Sequence, residues 1–540
     1  MQKTDFDVII VGAGFSGVYM LHKCRSLGLS ARVIEAGTSV GGTWYWNRYP
    51  GARCDVESMT YSYSFLEDLE QEWHWPERYA KQSEILRYID HVVDRLGMRK
   101  DIQTETRVTE ATFNEATNRW TVVTDPEEQF TAKYCIMATG CLSTPNLPQF
   151  DGLESYEGDW YHTGYWPKEG VDFSGKRVGI VGTGSSAIQS IPMIAAQADH
   201  LTVFQRTPNF SIPAWNGPIA EDAEREWKKA YPELRARARV SPVGATFEAP
   251  DISAMDVSAE ERERTFERRW NEGSFNFLAA YSDLLTNKES NVLATDFVHR
   301  KIRSRVNDPV VAEMLCPKDH PLGTKRLCVD TDYYETYNRD NVALVDVKTT
   351  PINSIVPDGI KVGDTVYPLD AIVFATGFDA MTGALLNIDI RGRGGIAFRD
   401  KWADGPSSYL GVAVAGFPNL FTVTGPGSPS VLSNMMVSIE QHVEWIADCI
   451  AHMEKDAVAT IEPKPEAEST WMAHVNQLAS EMLYQESNTW YLGANIPGKP
   501  RVFLPYVGGV GHYRTVCDDV AAKGYEGFTL SAAPSFATAR

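Results

Sequence analysis

The chain has 540 residues, of which 43% are hydrophobic and 23% charged, and carries a formal net charge of −20. That balance describes a globular protein of two to four domains. The acidic surplus excludes a broad nucleic-acid or anionic-membrane footprint, since both need a basic surface, but leaves room for anionic cofactors held by a few cations and main-chain N–H groups.

At the N-terminus, Lys3, Asp5 and Asp7 precede only a short apolar run, Val8 to Val11, too short for a signal-peptide core. That run reads as a strand buried on both faces. Gly12, Gly14 and Gly17 follow in G-x-G-x-x-G spacing, then a helical stretch to about Leu27, with Gly28 as its stop. Ala31 to Ile34 reads as the next strand, ended by Glu35. Each piece has a physical task. Gly12 allows the tight turn, Gly14 lets a pyrophosphate approach the backbone, and Gly17 lets helix and strand pack closely. The helix N-terminus offers free N–H groups to phosphates, and Glu35 can accept hydrogen bonds from a ribose diol.

The same unit returns at residues 177–206, with Gly182 and Gly184 at the turn, Ala187 in the third slot and Pro192 inside the helix, where it removes a hydrogen bond. The counterpart of Glu35 falls near Gln205 and Arg206. An acid repels a ribose 2′-phosphate and a guanidinium binds one. The first unit is therefore expected to hold a nucleotide with a free 2′-OH and the second NADPH. Two such units imply a flavoprotein that takes hydride from a nicotinamide, with FAD in the N-terminal unit. The expected fold class is α/β, with two Rossmann-like dinucleotide-binding domains and a helical insertion in the second.

Two apolar strands end in Ala138-Thr139-Gly140 and Ala375-Thr376-Gly377; the likeness to flavoproteins with two dinucleotide domains, where such strand ends lie at the crossings between domains, implies crossings near 142–150 and 378–382. The FAD-binding domain then takes 1–145 and 380–540, the NADPH-binding domain 146–217 and 321–379, and the insertion 218–320. Charged stretches in the insertion, such as residues 259–270, read as solvated helix faces. Residues 531–540 read as a loose tail. The eight cysteines contain no C-x-x-C pair, which argues against a redox dithiol, a disulfide reductase and a zinc site. No stretch reaches the length of a membrane span. The expectation is a soluble cytoplasmic monomer with free thiols and no metal.

Three further segments carry the chemistry: Gly41 to Asp55 (GGTWYWNRYPGARCD), Tyr156 to Pro167 (YEGDWYHTGYWP), placed between the domains, and residues 323–342 (GTKRLCVDTDYYETYNRDNV). Together with residues 425–435 and 487–500 they resemble the Baeyer–Villiger flavin monooxygenases of the FAD-plus-NADPH type, closest to the phenylacetone monooxygenase branch. Gly158, His162, Trp166 and Pro167 match the family fingerprint, with Tyr156 in place of the usual Phe. The resemblance covers nearly the whole chain.

It implies that NADPH reduces FAD, that the reduced flavin and O2 give a C4a-peroxyflavin, and that a ketone leaves as an ester or lactone. It also implies site residues. Arg326 matches the catalytic arginine, a cation that stays protonated beside developing oxyanions, and Asp55 the acid that pairs with it. Ser16, Thr43, Trp44, Tyr45, Trp46, Tyr61, Val108 and Met435 fall where the family contacts FAD. Arg53, Cys54, Asp55, Thr183, Gly184, Ser185, Ser186, Ala187, Ile188, Gln189, Arg206, Thr207 and Lys325 fall where it contacts NADPH. Trp490 matches an indole on a loop that closes over the nicotinamide, and Ser430, Val431 and Leu432 fall in the substrate pocket. His162 is read as structural. Two other readings stand beside this one: a flavin monooxygenase that oxygenates sulfur or nitrogen atoms, and a catalytically idle NADPH-binding module.

Overall fold

The computed structural model describes residues 5–247 and 250–532. The expected C-terminal tail lies outside them from residue 533 on. The first sheet has eight strands. Phe6–Val11 lies at its centre, with Ala31–Ile34 and Ile102–Gln103 on one side, and Gln129–Met137, Arg119–Asp125, Arg107–Asn114 and Asp389–Arg391 on the other. Leu420–Thr422 also joins the far half of Gln129–Met137 in parallel, Thr422 opposite Met137. Both ends of the chain thus build one sheet. Alternation along the central strand explains its apolar run. Val8 and Ile10 face the helix Phe15–Ser26 and the long helix Met435–Lys455, while Ile9 and Val11 face Trp120, Phe398 and Phe417. A strand covered on both faces has no polar position to spare.

The second sheet is wholly parallel, in the order Val342–Asp346, His200–Gln205, Arg177–Val181, Ala371–Phe374, Asp159–His162. Its edge strand is the fingerprint segment. Trp160 stays 43% exposed because an edge strand covers only one side. The segment that the sequence puts between the domains is thus part of the second sheet.

The two units share one local device. Gly12 has φ +104°, and a Cβ there would lie 2.6 Å from the carbonyl oxygen of Ala138; Gly182 has φ +113°, and a Cβ there would lie 2.6 Å from the carbonyl oxygen of Ala375. Each A-T-G strand end therefore runs directly beside a glycine turn, which is why the tripeptide recurs. In each unit only glycine fits the turn.

The chain crosses between the sheets twice, and the two crossings pair with each other. Asn146 N–H donates to Gly377 O at 2.9 Å, Asp379 N–H to Thr144 O at 2.8 Å and Met381 N–H to Cys141 O at 2.7 Å. His162 ties the fingerprint strand to this ribbon. Its Nδ1 accepts the N–H of Gly164 at 3.0 Å, so Nε2 carries the proton and donates to Thr376 Oγ1 at 3.0 Å, which donates to Asn146 O at 2.7 Å.

Between residues 218 and 320 the helices divide their allegiance. Glu221–Val240 packs on the first unit through Tyr231, whereas Ala259–Glu272 and Lys288–Arg305 pack on the second through Phe266, Trp270 and Phe297. The charged faces are not wholly solvated. Glu224 and Lys228 are buried and paired at 3.2 Å, and Arg269 is buried too.

Two buried histidines make the fold acid-sensitive. Burial lowers His162 to about 4, and burial with nearby Arg514 lowers His442 to about 3. His442 Nδ1 accepts the N–H of Thr424 at 2.8 Å, and its Nε2 meets Tyr513 Oη at 2.9 Å, a geometry that needs the neutral ring. The unfolded chain protonates these rings near 6.5, so their share of stability is complete above that pH and is lost as pH falls toward the folded values. His442→Gln is expected to be less stable at pH 7 but to lose about 2 kcal/mol less than the parent between pH 7 and pH 4.5. Urea unfolding at the two pH values measures the difference.

Candidate active site

The carboxyl ends of both sheets open into one cavity of about 630 Å³, the place where open α/β sheets bind nucleotides. Gly12, Gly14, Ser16 and Glu35 line its first end, with Thr43, Trp44, Trp46, Tyr61, Val108 and Met435 around them. Gly14 and Gly42 approach so closely that a Cβ on Gly42 would come within 2.9 Å of the Gly14 Cα, a cradle that any side chain would fill. Glu35 is buried, which pushes its carboxyl pKa up. Its two oxygens accept the N–H groups of Ala13 and Gly37, each at 2.7 Å, and keep lone pairs for a ribose. Trp44 donates its indole N–H to Tyr61 Oη at 3.1 Å. Two expected residues stand back from the cavity. Gly17 spaces the helix from the turn, since a Cβ there would lie 1.9 Å from Gly12 O. Tyr45 turns its hydroxyl to the N–H of Thr38 at 2.9 Å, with Arg48 and Lys168 over its ring.

At the second end Gly184, Ser185, Ser186 and Gln189 line the cavity beside Arg53, Cys54 and Asp55. Gln189 joins the units, donating to Arg53 O at 3.1 Å and accepting from Tyr49 Oη at 2.9 Å. Ala187 and Ile188 sit behind, in the core of the second unit. Thr183 donates to Thr207 O at 2.7 Å and so ties the glycine turn to the end of the next strand. The register pairs Phe204 with Val181 as it pairs Ile34 with Val11, which makes Gln205 the true counterpart of Glu35. Gln205 is buried and donates to Met314 O at 2.7 Å, leaving Arg206, one residue on, exposed. Burial pushes the Lys325 ammonium below its usual range. Asp319 opposes that shift, and Arg206 and Lys348 add to it. Arg206, Thr207 and Lys325 thus form a cationic spot apart from the main cavity. These residues fit an adenosine 2′-phosphate.

Arg326 lies where the two ends meet. Its Nε and Nη2 donate to Asp55 at 2.7 and 2.9 Å, its Nη1 donates to Val431 O at 2.8 Å, and its guanidinium covers the Phe275 ring at 5.1 Å. Burial alone would weaken its charge; the Asp55 carboxylate and a contact with Tyr491 outweigh that and raise the pKa. Ser430–Leu432 forms one turn of 3-10 helix, with Ser430 held at φ +42° by bonds to Thr424 O at 3.2 Å and Cys141 Sγ at 3.1 Å. Of the three, Val431 lines the cavity and Leu432 packs into the cluster of Trp490 and Tyr491. Trp490 lines the cavity and packs on Tyr491 with ring centroids 4.2 Å apart and the planes tilted by 50°. The sequence reading missed Phe275, Tyr491 and the Val431 carbonyl as partners of Arg326. It also missed Cys141 to Pro145 as cavity wall, although the recurring A-T-G pointed to that stretch.

Among the described residues there is no group of three or more His, Cys, Asp or Glu placed to hold a metal, and no helix long and apolar enough to cross a membrane. All eight cysteines are free and buried.

Two nucleotide-binding sheets that share one cavity, with a fixed cation on its wall, define a flavoprotein oxidoreductase with two dinucleotides. Residues 9–231 match the family model described as pyridine nucleotide-disulphide oxidoreductase. The chain is 44% identical to a Baeyer–Villiger monooxygenase of Pseudooceanicola batsensis, covering 96% of this chain and 95% of that one. It is also 44% identical to a phenazine N-monooxygenase of Lysobacter antibioticus, over 99% and 98%. A solved steroid monooxygenase bound to NADP superposes with TM-score 0.94 at 50% identity, over 98% and 100%. The chain belongs to the Baeyer–Villiger monooxygenase family; it is an FAD-dependent ketone monooxygenase served by NADPH.

Proposed function

We propose that this chain converts ketones to esters or lactones with Arg326 as its catalytic cation, Asp55 as the partner that orients it, and Arg206 with Lys325 as the anchor for the NADPH 2′-phosphate. The observation that carries the reading is the two-pronged Asp55–Arg326 pair on the wall of the cavity common to both units. Bound FAD, reduced by NADPH, supplies the activation of O2. The protein supplies charge, orientation and dryness. Two of the guanidinium's N–H bonds go to Asp55 and one to Val431 O, which fixes its plane while leaving donors for negative charge that develops on the ketone oxygen. A raised pKa keeps Arg326 charged at every working pH, so it cannot hand a proton to that oxygen. Trp490, Tyr491 and Leu432 close an apolar wall beside it and keep water away.

One chain furnishes the whole site, which supports action as a monomer, and eight free thiols support a cytoplasmic setting. Oxygenation of nitrogen is the second reading, favoured by the phenazine N-monooxygenase relative. A panel of cyclic and aryl ketones, with sulfide and amine controls and product identification, decides between them. Esters or lactones support the first reading, and N-oxides or sulfoxides alone overturn it.

Arg326→Ala is expected to retain FAD and lose ester formation by about 10²–10³-fold or more, and Arg326→Lys is expected not to restore it, because an ammonium cannot keep the two-pronged grip on Asp55. Product assays on FAD-loaded variants measure both. Arg206→Ala is expected to reduce the preference for NADPH over NADH by roughly 10–100-fold, the worth of a charge-assisted hydrogen bond. The ratio of kcat/KM for the two nucleotides reads it directly.

A further inference from the structure

Arg326 and Leu327 lie outside regular structure, just before the strand Cys328–Asp330. Something other than a strand ladder must hold the main chain that carries the guanidinium. That strand pairs in parallel with Ser211–Pro213, Cys328 opposite Ser211, and Cys328 N–H donates to Phe210 O at 3.0 Å. One step earlier the ladder gives way to a side chain. Asn209 donates through Nδ2 to Arg326 O at 3.2 Å and to Cys328 Sγ at 3.1 Å, while its Oδ1 accepts the N–H of Phe210 at 3.0 Å. A side-chain amide has two N–H bonds, so both donations are available at once. From the other side, Ser185 Oγ meets Cys328 Sγ at 3.2 Å.

These contacts lead back to both nucleotide-facing elements of the second unit. Ser185 opens the helix Ser185–Ala195 and lines the cavity. Asn209 lies in the short loop that begins at Arg206 and Thr207 and leads to Ser211–Pro213, and Thr207 is tied to the glycine turn through Thr183. A dinucleotide seated on this unit would meet the helix start with its pyrophosphate and the loop with its 2′-phosphate. Both contacts would bear on Asn209 and Cys328, and through them on the carbonyl of Arg326.

We infer that Asn209 and Cys328 are positioning residues that transmit occupancy of the NADPH unit to the main chain of Arg326, so that the catalytic cation is held in register only while the nucleotide stays bound. The inference rests on the role proposed above for Arg326. Neither residue is required to touch substrate or flavin.

The test uses the FAD-loaded enzyme, Asn209→Ala and Cys328→Ala, with NADP+ as the probe. Hydrogen–deuterium exchange over residues 324–328 is followed with and without NADP+. In the parent, NADP+ is expected to slow exchange at least about fivefold, and in either variant less than about twofold, while the Kd for NADP+ from titration calorimetry changes less than about threefold. Ester formed per NADPH consumed is expected to fall about threefold or more in both variants, with KM for NADPH nearly unchanged. A purely structural Asn209 would lower FAD retention without changing the NADP+-dependent protection. Equal protection by NADP+ in the parent and both variants overturns the inference. Should Asn209→Ala fail to hold FAD, Cys328→Ala decides alone, since it removes the Ser185 and Asn209 contacts at Sγ and leaves the Asn209 bond to Arg326 O in place. Failure of the Arg326 reading itself has another signature, undiminished ester formation by Arg326→Ala.

Discussion

One ion pair gathers the molecule. Asp55 and Arg326 are 271 positions apart in the chain, yet two hydrogen bonds of 2.7 and 2.9 Å join them. Around that pair come Val431 from the C-terminal part, Phe275 from the helical region and Tyr491 from the stretch next to Trp490. A half-buried guanidinium is costly unless its charge and donors are met. Here a carboxylate, a carbonyl and an aromatic face each meet part of that demand. Arg326 thus gathers four segments at the centre of the cavity, and misplacing any of them leaves a charge insufficiently paired.

The two sheets show how much architecture a small steric rule can set. In each, a glycine at positive φ lies against the carbonyl of an A-T-G strand end. That contact brings the turn that faces the phosphates and the strand that leaves the domain to the same point. The crossings start there, so the cavity wall is built from connecting chain as well as from nucleotide-binding loops.

Much of this was legible in the residues. The glycine spacing and the apolar strands describe the first unit correctly because each answers a local constraint, turn geometry in one case and burial on both faces in the other. The second unit was legible to within one residue. Its acid counterpart is Gln205, spent on Met314 O, and only register distinguishes it from Arg206. The allegiance of Glu221–Val240 was hidden for a physical reason. The stripe it buries, Glu224, Lys228, Tyr231 and Ala238, includes two charged residues that neutralise each other, so its pattern reads as solvent-facing. The fingerprint segment falls within the 146–217 expected for the NADPH-binding domain, but its strand went unrecognised because an edge strand with Trp160 exposed has too few apolar positions to announce itself. The partners of Arg326 other than Asp55 come from distant loops and a main-chain carbonyl, and a carbonyl leaves no trace in a sequence.

The paired crossings have one more consequence. Because Asn146 bonds to Gly377 and Thr144 to Asp379, the chain leaves the first sheet and returns to it through neighbouring points. The chain from about 146 to 377 therefore leaves and rejoins the first unit through one paired stem, while Glu221–Val240 within it packs back on that unit. The pairing also puts both ends of the inserted segment side by side, the topology expected of a chain in which one nucleotide-binding module is inserted into another.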